Sequence, residues 1–308
     1  MALVFHSLDD DPAEWERELK TLNPALDYRV WPDVGNVEDI DVALVWRAPP
    51  GMLKNLTHVK LLLSLGVGVD HLLNDPDLPD VPIARLVDDF CNAAMSEYVV
   101  LQVMRFLRDD PLFREQQRNH SWVQHPPRLA ADTRVGILGL GTLGGAAAER
   151  LVALGFQVSG WSKNPKTVAG VTTYHGSDGL SQLLATTDIA VCLLALTDET
   201  RDIVNRHTLD QMPRGGYFIN AGRGHHVVEA DLLKALDDDH LAGVALDCFR
   251  DEPLPENSPF WDHPKVVMTP HSSTGTNAPS AARHVTENVR RFHAGEPLLN
   301  ELNRDAGY

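Results

Sequence analysis

Cysteine is scarce in this 308-residue chain, and its three copies, Cys91, Cys192 and Cys248, stand far apart among apolar residues. They form no disulfide framework and no metal-ligand spacing, so they read as buried thiols and no metal site is expected. Lysine is scarce as well, 7 residues against 20 Arg, and the cations fall short of the carboxylates by 27 to 43. The resulting net charge of −16 repels polyanions, which argues against nucleic acid and anionic membranes as partners. Long apolar runs are missing, since a stretch such as Val191 to Leu196 has the length of a buried strand and falls far below a membrane span. The N-terminal apolar run is too short for a signal peptide and is flanked by Asp9, Asp10 and Asp11, so a cytoplasmic location is expected. Solenoid-type repeats and low-complexity tracts are absent. The acidity is mostly aspartate, 29 Asp against 14 Glu, which suits a salty cytoplasm; an ordinary acidic surface that aids solubility accounts for it equally well.

What remains is a chain that is 43% hydrophobic and long enough to bury a sizeable core, with a length that suggests two domains. From Ala2 to about Glu97, the runs Leu3–His6, Ala43–Trp46, Leu61–Leu65 and Ile83–Leu86 read as strands between helical stretches. Met95 to Asp109 carries Val99, Val103, Phe106 and Leu107 at helical spacing, and a basic, aromatic, proline-bearing segment from Arg114 to Arg128 follows. Alternation resumes at Arg134, with Phe156–Trp161, Ile189–Leu196, Gly216–Asn220, Leu241–Leu246 and Lys265–Thr269 as further strands and a closing helix from Ala278 to His293. Several of these runs lack polar alternation, as parallel strands covered on both faces do, so the class is α/β.

The segment from Arg134 to Gly144 is the most informative. An apolar run ends in Gly139, Gly141 and Gly144 and passes into a helix-favouring stretch from Ala146 to Ala153. Strand, glycine turn and helix in this order predict a dinucleotide site. Gly139 allows the tight turn, Gly141 lets a pyrophosphate approach the helix N-terminus, and Gly144 allows close helix packing. The second strand ends in Trp161-Ser162-Lys163-Asn164-Pro165-Lys166, with no carboxylate to hold a ribose 2′-hydroxyl. NADP(H) is therefore expected over NAD(H), through Lys163 and a hydrogen bond from Ser162; the weaker alternative is that both lysines are solvated surface charges.

Three later strand ends carry polar residues: Asn220 to Gly224, Asp247 to Pro255, and Thr269 to Ser273. Loops after the strands of an open α/β sheet line its ligand crevice, so Arg223, Glu252 and His271 are expected to converge beside the nicotinamide. Such a set suits ketone reduction. An imidazolium protonates the oxygen as hydride arrives at carbon, a carboxylate orients the imidazole, and an Arg fork holds a substrate carboxylate or polarises the keto oxygen. No role can be derived for His225 or His226.

Taken together with Ala43 to Trp46, Leu65 to Asp70 and the closing Gly307-Tyr308, these motifs resemble the D-isomer-specific 2-hydroxyacid dehydrogenases over essentially the whole chain. The resemblance implies a Rossmann-type doubly wound cofactor domain and a smaller flavodoxin-like α/β substrate domain, with the cleft between them. The expected division is 1–97 and 278–308 for the substrate domain and 98–277 for the cofactor domain. It further implies His271 as acid and base, Glu252 as its partner, and Arg223 on the substrate. The Gly66, Val67 and Gly68 amides would receive the substrate carboxylate, as consecutive N–H groups of a glycine-rich turn can, and Trp46 would wall the pocket. Trp46 reads equally well as a core aromatic. Thr142 and Leu143 in the first helical turn, Trp161, Ala221 and Gly222 would contact the cofactor, and Leu194, Ala195 and Leu196 would cover its adenine. Asp247 would touch the nicotinamide side. The implied activity is NADPH-dependent reduction of small 2-keto acids, such as glyoxylate and hydroxypyruvate, by a homodimer. Reduction of bulkier 2-keto acids and a dinucleotide-sensing binding module are the alternatives. Ser272, Ser273 and Gly222 depart from the usual family pattern.

Overall fold

Apolar runs without alternation become the inner strands of two parallel sheets. The computed structural model describes residues 2–304, 306 and 307. The chain divides into two units, Met1–Cys91 with Gly275–Tyr308, and Asn92–Thr274.

In the first unit, β1 (Ala2–His6), β2 (Asp27–Val30), β3 (Ile40–Val45), β4 (Leu61–Ser64) and β5 (Ile83–Arg85) form a sheet in the order β2-β1-β3-β4-β5. All pairings are parallel, and this is the flavodoxin-like doubly wound order. Alternate side chains serve opposite faces: Phe5, Leu44 and Leu63 pack with Trp15 and Leu19, while Val4, Val45 and Leu62 pack with Met52 and Leu72. The helix Ala278–Ala294 returns to the first of these faces through Ala281, Ala282 and Val285. It starts where the Asn277 side chain accepts the Ser280 N–H at 3.1 Å and stops at Gly295, whose φ of +67° suits glycine.

The second unit holds β6 (Arg134–Leu138), β7 (Gln157–Ser162), β8 (Thr172–His175), β9 (Ile189–Cys192), β10 (Gly216–Asn220), β11 (Leu241–Leu246) and β12 (Val266–Met268). Their order is β12-β11-β10-β9-β6-β7-β8, again parallel throughout. Strand order reverses between β6 and β9, the switch point at which Rossmann-type sheets open a ligand crevice. One face packs Leu138, Cys192, Phe218 and Leu246 against Leu183 and Leu232. The other packs Val135, Ile137, Val191 and Ile219 against Val99, Val103 and Phe106 of the long helix Asp89–Leu107 and against Ala147 and Leu151.

Two strands were not foreseen, β2 and β8. Each is the edge strand of its sheet, with every residue exposed or half-buried, so neither carries the apolar run that marked the inner strands. The run expected as a strand from Ile189 to Leu196 leaves the sheet after Cys192, and Leu194 to Leu196 lie in the loop beyond it. The segment after the long helix forms a helix, Asp110–Arg118, then an irregular stretch in which Trp122 is 92% exposed. Among the described residues no helix is long and apolar enough to cross a membrane.

Candidate active site

The β6 turn has the geometry that its glycines predict. Gly139 sits at φ +104°, where an added Cβ would also lie 2.7 Å from the Leu193 carbonyl oxygen. At Gly144 an added Cβ would lie 1.8 Å from the Gly139 oxygen, so only glycine lets the helix Thr142–Ala153 begin against this loop. Gly141 faces open space, with nothing within 4 Å of the same hypothetical atom. The helix has no side-chain cap, and its first backbone bond runs from Gly145 N to Gly141 O at 2.8 Å. First-turn amides beside Thr142 and Leu143 therefore lack intrahelical acceptors and suit an anion.

At the end of β7, the Lys163 ammonium pairs with the Glu199 carboxylate at 2.7 Å, both side chains being well exposed. A carboxylate absent from the strand end thus arrives from the loop after β9. Lys166 donates to the Leu140 carbonyl at 3.0 Å, and the buried Ser162 hydroxyl donates to the Asn164 carbonyl at 2.7 Å. Trp161 is a core residue whose Nε1–H donates to the Gly176 carbonyl at 2.6 Å. In the loop after β9, the Ala195 carbonyl accepts the Thr200 hydroxyl at 2.7 Å, and Leu194 and Leu196 are half-buried.

Glu252 and His271, 19 residues apart, meet: His271 Nδ1 lies 2.8 Å from Glu252 Oε2. The other carboxylate oxygen accepts the Phe249 N–H at 3.0 Å, which fixes the carboxylate plane. His271 has a φ of +50°, the left-handed region that few residues other than glycine adopt. Asp247 holds it there. The Asp247 carbonyl accepts the His271 N–H at 2.8 Å, and its fully buried carboxylate accepts the Ser272 N–H at 2.8 Å, the Ser273 N–H at 3.0 Å and the Thr269 hydroxyl at 2.6 Å. The Tyr98 hydroxyl of the long helix lies 2.9 Å from Thr269 Oγ1 and extends the brace; burial pushes that phenol above its usual range. Sequence reasoning missed the bracing by Asp247, Thr269 and Tyr98. Ser272 and Ser273 bond Asp247 through their backbone, so their side chains can vary without touching this network.

Arg223 follows β10. Its N–H donates to His226 Nδ1 at 3.0 Å, its carbonyl accepts from the Asn220 amide at 3.0 Å, and its guanidinium donates to the Gly222 carbonyl at 3.0 Å. His226, given no role above, is the fully buried anchor of the Arg223 backbone. The three-residue spacing of Arg223 and His226 is the signal that could have revealed it. Gly222 has the same explanation, since a Cβ there would lie 2.9 Å from His226 Nδ1. Ala221 is buried beside it, its N–H donating to the Cys192 carbonyl at 3.2 Å.

Within the first unit, Trp46 and the Gly66 turn form one structure. A Cβ on Gly66 would lie 2.2 Å from Trp46 Cζ3, and the His71 ring meets the Trp46 ring edge-on at 4.5 Å. Trp46 Nε1–H donates to Asp9 at 3.1 Å. The three expected amide donors are not equivalent. Gly66 N–H already donates to the Ser64 hydroxyl oxygen at 3.2 Å, while the Val67 and Gly68 amides have no intramolecular acceptor among the described residues.

Known proteins provide an independent comparison. Residues 100–273 match the family described as "D-isomer specific 2-hydroxyacid dehydrogenase, NAD binding domain". A curated relative from Photorhabdus laumondii, a glyoxylate/hydroxypyruvate reductase A, is 36% identical with 100% of both chains covered. Among solved structures, a D-isomer specific 2-hydroxyacid dehydrogenase from Xanthobacter autotrophicus Py2 in complex with NADPH and MES is similar at TM-score 0.97 and 43% identity, covering 100% of this chain and 99% of that one. An NADPH-dependent glyoxylate/hydroxypyruvate reductase from Sinorhizobium meliloti, in complex with NADP and sulfate, is similar at TM-score 0.94 and 38% identity, with 100% of both covered.

Proposed function

The chain belongs to the D-isomer specific 2-hydroxyacid dehydrogenase family, and from that premise we propose that it is an NADPH-dependent reductase converting small 2-keto acids, glyoxylate and hydroxypyruvate foremost, to D-2-hydroxy acids. The observation that carries this reading is the 2.8 Å pair of His271 and Glu252 on strand-end loops of the same sheet that bears the Gly139 turn. When bound, the nicotinamide supplies the hydride.

The chain's own residues supply the rest. Glu252 engages Nδ1 and so turns Nε2 of His271 toward the substrate oxygen, where it delivers a proton as charge develops. Arg223, its backbone anchored by His226 and Asn220, offers a guanidinium to the substrate carboxylate or keto oxygen. Asp247 keeps the His271 loop in its left-handed conformation. In the first unit, which serves as the substrate domain, the Val67 and Gly68 amides receive the substrate carboxylate and Trp46 limits substrate size. The second unit is the cofactor domain, with the pyrophosphate at Gly141, Thr142 and Leu143, and Lys163 on the 2′-phosphate. This assignment is supported by the open face of Gly141 and by the absence of an acid at the end of β7. NAD(H) serves as the weaker cofactor.

A homodimer built on the cofactor domain is part of the same proposal. Leu101, Met104, Phe113, Trp122, Val123 and Leu129 are all exposed within residues 101–129, large apolar side chains of the kind a partner subunit covers. Light scattering checks the mass. A cytoplasmic location fits three buried cysteines with no disulfide among the described residues.

The functional test is NADPH oxidation followed by absorbance with glyoxylate, hydroxypyruvate, pyruvate and phenylpyruvate in parallel, each repeated with NADH. Fast turnover of the first two with NADPH is expected. Preference for phenylpyruvate overturns the small-acid assignment, and no turnover on any 2-keto acid overturns the reductase.

A further inference from the structure

The fold assembles a donor set that sequence spacing conceals. Cys248 and Glu252 lie on the loop after β11 and His271 on the loop after β12, and one ligand atom from each lies within 4.8 Å of the others. The imidazole and the carboxylate already touch at 2.8 Å. The third member, the Cys248 thiol, is 2% exposed and donates to the Gly222 carbonyl at 3.3 Å. Nothing in the reductase chemistry uses this sulfur.

We infer that Cys248, Glu252 and His271 form an inhibitory binding site for a thiophilic divalent cation, with zinc the best match. One thiolate, one imidazole and one carboxylate make a three-protein-ligand zinc set with a fourth position open to water. Magnesium and calcium, which demand oxygen ligands, do not suit it. Tetrahedral bonds of about 2.0 to 2.3 Å place ligand atoms roughly 3.3 to 3.8 Å apart, so a span of 4.8 Å closes with about 1 Å of side-chain movement. Glu252, its side chain 22% exposed, supplies that movement by releasing the Phe249 N–H and drawing back from the His271 ring.

The thiol donates its proton to the Gly222 carbonyl in a hydrogen bond, and a cation that binds the sulfur displaces that proton to solvent. The bond formed is sulfur to metal, the bond lost is sulfur to hydrogen, and no redox change occurs. A cation seated here ties down the imidazole and carboxylate needed for proton delivery. Binding is independent of the function proposed above, whereas the inhibitory consequence rests on it.

The experiment uses the full chain, stripped with EDTA. Zinc binding is read by competition with a chromogenic zinc chelator, and zinc inhibition of NADPH-dependent turnover is read against each protein's own zinc-free rate. One zinc per chain is expected, with at least tenfold weaker binding and inhibition in Cys248→Ser, whose hydroxyl can still donate to Gly222, and reversal by EDTA. Equal affinity in wild type and Cys248→Ser, or no stoichiometric zinc in the wild type, overturns the site. If the variant fails to fold, cadmium added to the wild-type chain must produce thiolate-to-cadmium absorption in the ultraviolet, and its absence overturns the site equally. A chain that binds zinc through Cys248 yet turns over no 2-keto acid refutes the reductase and leaves the metal site standing.

Discussion

Alanine at Gly141 and at Gly144 should produce opposite phenotypes, although the two residues lie three apart in one turn. At Gly144 the added methyl would sit 1.8 Å from the Gly139 carbonyl oxygen, so helix and loop must part by about 1.5 Å to reach ordinary contact. Overpacking of this kind costs about 1 to 3 kcal/mol. At about 2 to 4 °C per kcal/mol for a unit of this size, the thermal midpoint should fall by about 2 to 12 °C. At Gly141 the backbone is extended, with φ −72° and ψ −165°, and the methyl would meet nothing within 4 Å. Alanine fits that conformation, and restricting the unfolded chain contributes about 0.4 to 1 kcal/mol, so the midpoint should hold or rise slightly. Cofactor binding should fail instead, because the methyl occupies the approach to the first-turn amides. Loss of one charge-assisted hydrogen bond, about 1.5 to 3 kcal/mol, weakens NADPH by about ten- to a hundredfold. The assay pairs thermal unfolding with NADPH titration by fluorescence. Wild-type NADPH affinity in Gly141→Ala would refute the pyrophosphate assignment, and a wild-type midpoint in Gly144→Ala would refute the packing argument.

His271→Ala should lower turnover by orders of magnitude while NADPH binding is kept; retained turnover removes His271 from the mechanism. Lys163→Ala should cut the preference for NADPH over NADH by about ten- to a hundredfold, since the exposed pair with Glu199 is worth only about 0 to 1 kcal/mol and yields readily to a phosphate. Glu199→Gln should tighten NADPH and leave NADH unchanged, and equal effects on the two dissociation constants would show that neither residue meets the 2′-phosphate. Burial alone would raise the Asp188 carboxyl, but the side-chain and backbone hydrogen bonds from Arg134 outweigh it and hold the group below its ordinary value. A depressed folded pKa stabilises at pH values above the unfolded pKa of about 3.9, and that stabilisation disappears as pH falls through the folded value. Wild type should therefore exceed Asp188→Asn in urea resistance at pH 7 and lose the advantage below about pH 4, whereas a pH-independent difference contradicts the linkage.

Features that depend only on neighbouring residues are legible in the chain itself. The Gly139, Gly141 and Gly144 turn is legible because φ, steric approach and helix start are local properties. The inner strands are legible because burial on both faces demands uninterrupted apolar runs. The edge strands β2 and β8 escaped notice because one side of each meets water and no apolar run is required. Arg223, Glu252 and His271 were legible as polar residues at strand ends, but the meeting of Glu252 with His271 depends on how β11 and β12 align. Only folding reveals that Asp247 braces His271, that Glu199 faces Lys163, and that Cys248 joins Glu252 and His271. Each of these joins groups on separate strand-end loops. Such loops are brought together by the parallel sheet, and no periodicity in the chain encodes that convergence.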